Sequence, residues 1–522
     1  MMPQWYALAT SMYRDWLDAS LAANERWTRG AFEAQKILLG AARRSSEDAR
    51  ESTRAENLSG PALAARARDL SRAQAFLWAA AGFAAGERLG RVAPGEGPGF
   101  GAEWLPRAMV IGTVAADLYL GYATLRERLR WTPKLVGEKD WELQHRRGAA
   151  RVLDTAAALG GTLIKGAQFA STRPDLLPAA YTDTLSSLQD RVPPQTWSVM
   201  EPAITQELGR PISEVFAHIE PEPIAAGSIA QVHRARLREG REVAVKVQYP
   251  HVADLIEADL SALERTFATL ASVEPRVRLQ PIADYLRWTL PLELDFEREA
   301  ASIEDLRTAL EDRGDVVVPE VVEGLTTERL LVMELMEGVR ITNRDAMLAA
   351  GIEPGAVAEL LNDAYADQLF NRNILHADPH PGNILVQPGP KLVLLDHGLT
   401  LGIDPAFAAT LAKMVRFLGE GDLNALAGTL GETGLPIDEN TDLDTLLGVV
   451  GVLLGTEEFP DDEALDLGNF GRRLGASVGD IPPKLLLVGR AIGLLDGITR
   501  QLDPELESLE IVGRYTTEHT GQ

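Results

Sequence analysis

The sequence predicts an α+β protein in which a small β region is followed by a larger helical body. Strands are expected at residues 229–237 and 243–249, because apolar residues alternate on both sides of the turn-forming segment Arg-Glu-Gly-Arg. Further strands are expected at 316–318 and 330–335. Beyond Gly338 the apolar residues return to helical spacing. A sheet followed by helices predicts two lobes.

The length of 522 residues exceeds what one hydrophobic core usually supports, so several packed units are expected. In chain order we predict a helical N-terminal region, a helical extension, a β-containing lobe and a helical lobe, at residues 1–135, 136–205, 206–338 and 339–522. Within the first region Trp5, Trp16 and Trp27 recur every eleven residues, a period that keeps them on one helical face.

The net charge of −25 is concentrated toward the C-terminus, where residues 400–522 contain 8 basic and 21 acidic side chains. Such a surface repels phosphates, so nucleic acid is not expected as a partner. The absence of cysteine excludes disulfides and thiolate catalysis. No signal-peptide pattern is visible, and the apolar run at 108–125 contains Asp117 and is flanked by Arg107 and Arg126. A cytoplasmic location is therefore expected.

The strand Val243-Ala244-Val245-Lys246 ends in a lysine, which is the first residue with a chemical role to consider. In kinases this arrangement points an ammonium group at the α and β phosphates of the nucleotide. Taken alone the signal is weak, because an amphipathic strand with an exposed lysine is common.

A stronger signal combines the loop His-Ala-Asp-Pro-His-Pro-Gly-Asn with a later Asp-His-Gly segment. Asp378 and Asn383 are five positions apart in the loop, and Asp396 follows an apolar strand. Phosphoryl transfer needs a carboxylate at the acceptor hydroxyl, and amide and carboxylate oxygens for Mg²⁺. Asp378 matches the base, and Asn383 and Asp396 match the metal ligands. His380 suggests zinc only weakly, because no second histidine is suitably spaced.

The segment expected to cover the phosphates departs from the G-x-G-x-x-G loop of ordinary kinases. Alanine carries a Cβ where glycine has none, so this loop should approach phosphates less freely. The residues assigned to nucleotide binding are Ala225, Ala226, Gly227, Ser228, Lys246, Glu334 and Met336.

Together with two further segments, Lys165-Gly166-Ala167-Gln168 and Glu293-Leu294-Asp295, these motifs resemble the AarF/UbiB family of atypical kinases over about residues 140–500. The resemblance implies a protein-kinase-like two-lobed fold and an Mg²⁺-dependent ATP or ADP site. It also implies a role in isoprenoid-quinone (ubiquinone) biosynthesis or lipid homeostasis. The implied partners are a lipid or quinone precursor, quinone-biosynthesis proteins and a membrane surface, with a peripheral position at the inner face of the membrane.

By the same resemblance, Lys165 and Gln168 form a gate over the site and face Glu293 and Asp295. The family glycine at position 167 is an alanine here, which could alter how closely the gating helix packs.

The acidic partner of Lys246 has two candidates. Glu264 lies eighteen residues after Lys246, nearer the usual kinase spacing, whereas the resemblance implies Glu299. A helical insertion beginning at Val252 explains the longer interval, so Glu299 is favoured.

Two other functions remain as alternatives. A small-molecule phosphotransferase of the aminoglycoside or choline kinase type shares an H-x-D-x-H-P-x-N-like loop, although the gating helix and the Glu-Leu-Asp segment argue against it. A pseudokinase scaffold would bind nucleotide without turnover, and the presence of every catalytic position weakens that interpretation. Gly227 stands where many family members have a third alanine, so the preference between ADP and ATP stays open, as does the phosphoryl acceptor.

Overall fold

The computed structural model describes residues 104–129, 134–171, 177–190, 194–275, 277, 279–430, 432 and 483–518. Within them the chain forms two compact units. Unit 1 holds the described residues up to Ala167 together with 257–275, and unit 2 holds all the others. The tryptophan stripe at the N-terminus and most of the predicted region 1–135 lie outside the described residues.

Unit 1 is built from helices. They are α1 (Trp104–Leu129), α2 (Lys134–Leu159), the first part of α3 (Gly161–Ser171) and most of α7 (Val252–Val273). The Tyr122 ring of α1 stacks on Trp141 of α2 at 6.1 Å between centroids. Arg107 donates through Nη1 to the Leu159 carbonyl at 2.6 Å and through Nε to Asp259 Oδ1 at 2.9 Å, which ties α1 to α2 and α7. No helix of the described residues combines the length and apolar character needed to cross a membrane.

Unit 2 begins with an α-helical segment and a five-stranded antiparallel sheet. The helices are α4 (Ala179–Leu185), a 3₁₀ turn (Ser186–Asp190), α5 (Trp197–Leu208) and α6 (Ile212–Val215). The strands are β1 (Phe216–Ile219), β2 (Ala225–Ala226), β3 (Ala230–Leu237), β4 (Glu242–Gln248) and β6 (Leu330–Glu334), in the order β1-β3-β4-β6 with β2 on β3.

The alternation of β4 decides which of its side chains face the core and which face the site. Val243, Val245 and Val247 pack into the apolar cluster that also contains Met200 and Ile204 of α5. Because successive side chains of a strand point to opposite faces, Lys246 is directed away from that cluster. Two helices follow in unit 2, α8 (Gln280–Glu293) and α9 (Phe296–Ala309).

The rest of unit 2 is mainly helical but carries two further small sheets. The helices are α10 (Arg344–Ala349), α11 (Pro354–Ala366), α12 (Pro405–Glu420), α13 (Leu423–Leu430), α14 (Pro483–Leu502) and α15 (Ser508–Glu518). The strands of these two sheets are β5 (Val316–Val317), β7 (Val339–Arg340), β8 (Ile374–His376), β9 (Ile384–Gln387), β10 (Lys391–Leu394) and β11 (Thr400–Gly402). One sheet has the order β5-β10-β9-β7 and the other pairs β11 with β8.

The strands expected from sequence at 229–237, 243–249, 316–318 and 330–335 are all present, within one or two residues of the predicted ends. The apolar strand expected before Asp396 is β10. The expectation of a helical body after Gly338 with a single strand before Asp396 is incomplete, because it missed β7, β8, β9 and β11. These strands have two to four residues, which is too short for an alternating pattern to stand out.

We predict that Asp259→Ala will lower the free energy of unfolding by about 3 kcal/mol, because it leaves the Arg107 guanidinium without its carboxylate in a poorly hydrated place. Asp259 is 1% exposed. Glu274→Ala is the matched control in the same unit, since its pair with Arg126 is exposed and should be worth less than about 1 kcal/mol. Urea unfolding followed by circular dichroism measures both, and equal losses would contradict the prediction.

Candidate active site

Lys246 lies at the centre of a buried ion pair. Its Nζ is 2.7 Å from Glu299 Oε1 and 2.9 Å from Oε2, and both side chains are almost fully buried. Glu299 is placed by the first turn of α9, which begins after the N-cap residue Asp295. Of the two acids considered from sequence, Glu299 is the one that the structure brings to Lys246.

Asp396 is the second carboxylate at the same lysine. Its Oδ2 lies 3.3 Å from Lys246 Nζ, and its side chain is 48% exposed. Burial by itself would lower the pKa of Lys246, but the charges of Asp396 and Glu299 outweigh burial and raise it well above the ordinary value. Lys246 is therefore a permanently charged ammonium group held between one buried and one accessible carboxylate.

The backbone at Asp396 is unusual, because its φ of +40° lies in the left-handed region that non-glycine residues rarely adopt. Its Oδ1 accepts from the Gly398 backbone N–H at 3.3 Å. Two residues earlier β10 ends, so the chain turns sharply out of the sheet at Asp396. This turn points the carboxylate toward Lys246.

His376 connects the loop that contains Asp378 and Asn383 to the turn at Asp396. Its Nε2 donates to the carbonyls of Leu395 and Asp396, each at 2.9 Å, and this fixes the tautomer in which Nδ1 accepts from the Tyr365 hydroxyl. The backbone N–H of His376 also donates to Gln368 Oε1 at 3.0 Å. His376 is fully buried, so the imidazole connects the loop that starts at Ala377 to the turn at Asp396 from within the core.

Asn383 connects the candidate base to the candidate metal ligand. Its Nδ2 lies 3.2 Å from the Asp378 backbone carbonyl and 3.4 Å from Asp378 Oδ2. The backbone carbonyl of Asn383 accepts from the Leu395 N–H at 2.8 Å. Because Leu395 precedes Asp396, the hairpin of β9 and β10 brings Asn383 and Asp396 to the same end. Their amide and carboxylate oxygens are a suitable pair of Mg²⁺ ligands.

The described residues contain no group of three or more acidic or histidine side chains that could hold a metal ion by themselves. Mg²⁺ usually takes one or two protein oxygens and completes its coordination with phosphates and water. Asn383 and Asp396 fit such an arrangement.

Arg490 of α14 contacts Asp378 and was not identified from the sequence. Its Nη2 lies 2.7 Å from Asp378 Oδ1, and it also forms a hydrogen bond with the hydroxyl of Tyr285 on α8. Burial lowers the pKa of Arg490, but its interactions with Asp378, Tyr285 and Glu293 together outweigh burial, and the net direction is upward. No local pattern predicts this contact, because the two charged residues are 112 positions apart.

The Glu-Leu-Asp segment also takes part in the site. Asp295 caps α9 by accepting from the Arg298 N–H at 2.9 Å. The Arg298 guanidinium donates to the carbonyls of Leu292 and Gly398, and so connects this segment to the turn after Asp396. Glu293 lies on the same side, since a Cβ added at Gly398 would be 4.0 Å from its Cγ. Arg298 was not predicted as a site residue from the sequence.

The predicted nucleotide-covering loop is a tight turn rather than an open one. Ala225 and Ala226 form β2, and the Gly227 N–H donates to the Ala230 carbonyl at 2.8 Å. The Tyr249 hydroxyl donates to the Gly227 carbonyl at 3.1 Å, and burial raises the pKa of Tyr249 to about 12. Ser228 is half-buried within the turn. The loop is thus fixed at Gly227 by two hydrogen bonds.

Glu334 and Met336 lie at and just after the end of β6. Glu334 is exposed and exchanges hydrogen bonds with Glu320, whereas Met336 is half-buried. β6 pairs with β4, and Leu331 is opposite Lys246 in that register. Their assignment to nucleotide binding stays a prediction.

The gating residues divide between the two units. Gln168 belongs to unit 2, and its Nε2 donates to the Leu188 carbonyl at 3.2 Å. The next residue, Phe169, stacks on Tyr285 at 3.6 Å between ring centroids. Lys165 is a half-buried residue of unit 1, so its expected pairing with Glu293 and Asp295 joins residues of different units and stays a prediction.

A small sheet that carries a buried Lys–Glu pair, followed by a helical body with Asp378, Asn383 and Asp396 on adjoining loops, defines a protein-kinase-like α+β fold of two lobes. Residues 187–430 match the family described as the ABC1 atypical kinase-like domain. The resemblance to AarF/UbiB kinases is therefore confirmed over these residues.

Two curated relatives illustrate the family. "AarF domain-containing protein kinase 1" of Xenopus tropicalis is 35% identical over 54% of this chain and 55% of its own length. "Protein ACTIVITY OF BC1 COMPLEX KINASE 8, chloroplastic" of Arabidopsis thaliana is 33% identical over 69% of this chain and 52% of its own length. This chain spans about half the length of these curated relatives.

A solved structure, "The complex structure of Rv3197-erythromycin from Mycobacterium tuberculosis", matches 70% of this chain and 94% of its own at 26% identity and a TM-score of 0.47.

His397 predicts a pH dependence of stability. Burial and the neighbouring His376 lower its pKa to about 3 from an ordinary 6.5. Between these values the unfolded chain binds a proton that the folded protein does not, so stability falls as the pH drops below 6.5. We expect this residue to contribute up to about 1.4 kcal/mol per pH unit.

The measurement is urea unfolding of the wild type and of His397→Phe at several values between about pH 7 and pH 5. The variant should lose stability less steeply, because it has no imidazole at this position. His218→Phe, at an exposed position of β1, serves as the control for removal of a histidine. Equal slopes for the wild type and His397→Phe would contradict the assignment.

Proposed function

We propose that this chain binds Mg·ATP or Mg·ADP beside β4 and transfers the terminal phosphoryl group of ATP to an acceptor hydroxyl or to water. The observation that carries the proposal is the position of Lys246, whose ammonium is held at 2.7 Å by buried Glu299 and at 3.3 Å by accessible Asp396. This arrangement places a fixed positive charge next to a candidate metal ligand. Phosphoryl transfer depends mainly on such positioning and charge stabilisation.

Under this proposal, each residue of the site has a role in binding or phosphoryl transfer. Lys246 would bind the α and β phosphates, with Glu299 fixing its direction. Asn383 and Asp396 would hold Mg²⁺, which when bound neutralises phosphate charge. Asp378 would orient the acceptor and take its proton.

We propose further that the phosphotransfer activity supports isoprenoid-quinone or lipid metabolism at a membrane surface, with a lipid or quinone precursor and quinone-biosynthesis proteins as partners. The support is the resemblance of the gating helix and the Glu-Leu-Asp segment to AarF/UbiB proteins. The name of the Arabidopsis relative refers to the BC1 complex. The cytoplasmic location and the peripheral position at the inner face of the membrane are part of the same proposal.

The decisive experiment compares Asp396→Asn with Asp378→Asn. We expect Asp396→Asn to abolish Mg²⁺-dependent nucleotide binding, because an anionic ligand is lost, whereas Asp378→Asn should bind normally and turn over at least about 100-fold more slowly. Titration calorimetry with Mg·ADP and a phosphate-release assay with Mg·ATP measure the two effects. Asp404→Asn, at the exposed N-cap of α12, is the control.

The same phosphate-release assay, run with and without liposomes that contain quinone-precursor mimics, separates the alternatives. A phosphorylated small molecule would favour the aminoglycoside or choline kinase type of activity. Binding without turnover under every condition would favour a pseudokinase scaffold. Equal Mg·ADP affinity in the wild type and Asp396→Asn would remove the metal assignment itself.

The loop at Gly227 yields a prediction about nucleotide selectivity. We expect Gly227→Ala to weaken ATP binding more than ADP binding, because only ATP carries a γ-phosphate for the new methyl group to meet. The substitution should fold normally, since Gly227 is outside the positive-φ region and an added Cβ would lie 3.6 Å from the Ala230 carbonyl. Paired titrations at fixed Mg²⁺ measure the ratio, and Gly314→Ala, in the exposed turn before β5 where an added Cβ meets nothing within 4 Å, tests for a general loop effect. An unchanged ratio in a stable protein would show that position 227 does not tune the site.

A further inference from the structure

Arg490 is held in a defined position beside the candidate catalytic base. Its guanidinium contacts Asp378 Oδ1 at 2.7 Å, and its side chain is 21% exposed. The hydroxyl of Tyr285 accepts a second hydrogen bond, and the charge of Glu293 acts on the same group. A mobile surface arginine would not have three such partners, two of them on α8 and one in the loop after β8.

The anchoring of Arg490 continues into the packing of unit 2. Tyr285 is a buried residue of α8, and its ring stacks on Phe169 with an angle of only 5° between the planes. Phe169 is itself buried near the end of α3. The guanidinium is therefore supported through a hydroxyl whose own ring is fixed by the packing.

The position of Arg490 coincides with the place where the reacting groups must meet. Asp378, as the base, marks the location of the acceptor oxygen, and the phosphorus under attack must lie within a bond length of that oxygen in the transition state. A guanidinium has five N–H donors, more than its bonds to Asp378 and Tyr285 require. Lys246, which Glu299 and Asp396 hold in place, is assigned to the α and β phosphates rather than to the transferred group.

We propose that Arg490 is a catalytic residue that binds the transferred phosphoryl group, an arginine finger supplied by α14 of the same chain. The inference rests on the phosphotransfer function proposed above. The bond between the γ-phosphorus and the β,γ-bridging oxygen breaks, and its electron pair leaves with ADP. The acceptor oxygen bonds to phosphorus, and its proton passes to Asp378, whose Oδ1 is oriented by Arg490. The guanidinium stabilises the charge on the phosphoryl oxygens and forms no covalent bond.

The test is the steady-state hydrolysis of Mg·ATP by the full chain, with direct titration of Mg·ADP as an independent readout. Arg490→Gln should lower kcat by on the order of 10³-fold and leave the Kd for Mg·ADP within about threefold, because an arginine finger acts on the transition state. Arg490→Lys should recover part of the loss. Millimolar guanidinium should partly restore turnover to Arg490→Ala, which a purely structural role would not allow.

Two further variants separate chemistry from folding. Arg500→Gln removes an arginine of the same helix whose pair with Asp496 is exposed, and it should leave kcat unchanged. Tyr285→Phe preserves the ring that stacks on Phe169 and removes only the hydroxyl, so it should lower kcat by about tenfold even if Arg490→Gln does not fold.

An unchanged or increased kcat in folded Arg490→Gln would overturn the inference, and an increase would identify Arg490 as a block on Asp378. If Arg490→Gln does not fold, an unchanged kcat in Tyr285→Phe would overturn it. A wild type that binds Mg·ADP but never hydrolyses Mg·ATP would also overturn it, while the nucleotide site would stand. Absence of Mg·ADP binding in the wild type would instead remove the proposed function.

Discussion

The ion pair between Lys246 and Glu299 is the interaction on which the arrangement of the site depends. A buried charge must be paired, because the loss of hydration costs several kcal/mol per ion. Glu299 can reach Lys246 only if α9 begins where Asp295 caps it. The strand, the cap and the helix are therefore fixed relative to one another by a single electrostatic requirement. Asp396, which shares the lysine, extends this requirement to the turn after β10.

The short strands of the second lobe serve to align loops rather than to build a large sheet. β8 and β11 pair His376 with Thr400, and β9 and β10 form the hairpin that brings Asn383 to the segment before Asp396. The buried imidazole of His376 then connects the loop after β8 to the turn after β10. A few short ladders and one buried side chain thus replace the extensive packing that would otherwise be needed to hold polar loops in place.

The residues that could be predicted from the sequence are those that short local segments identify. Asp378, Asn383 and Asp396 stand at fixed spacing within two short segments, and Lys246 ends an alternating strand, so their types and order were sufficient to suggest phosphoryl transfer. Glu299 could be chosen over Glu264 only through the family resemblance, because a helix of 22 residues separates it from the usual kinase spacing.

Arg490, Tyr285 and Arg298 could not be selected from sequence, since their roles arise from tertiary contacts. An arginine in an amphipathic helix such as α14 has no local mark that distinguishes it from Arg500, whose ion pair lies on the surface. The four short strands after Gly338 were missed for a related reason, because their register is decided by partners distant in the chain.

Several contacts of the site depend together on the left-handed backbone conformation of one residue, Asp396. A non-glycine residue in this region costs about 1–2 kcal/mol, and here its carbonyl accepts from His376 while its carboxylate reaches Lys246. Relaxation of this one residue to the right-handed basin would turn both groups away together and would release Gly398 from Arg298. The metal ligand, the lysine partner and the histidine anchor would then be lost in one event, so the centre would change between two discrete arrangements rather than loosen by degrees.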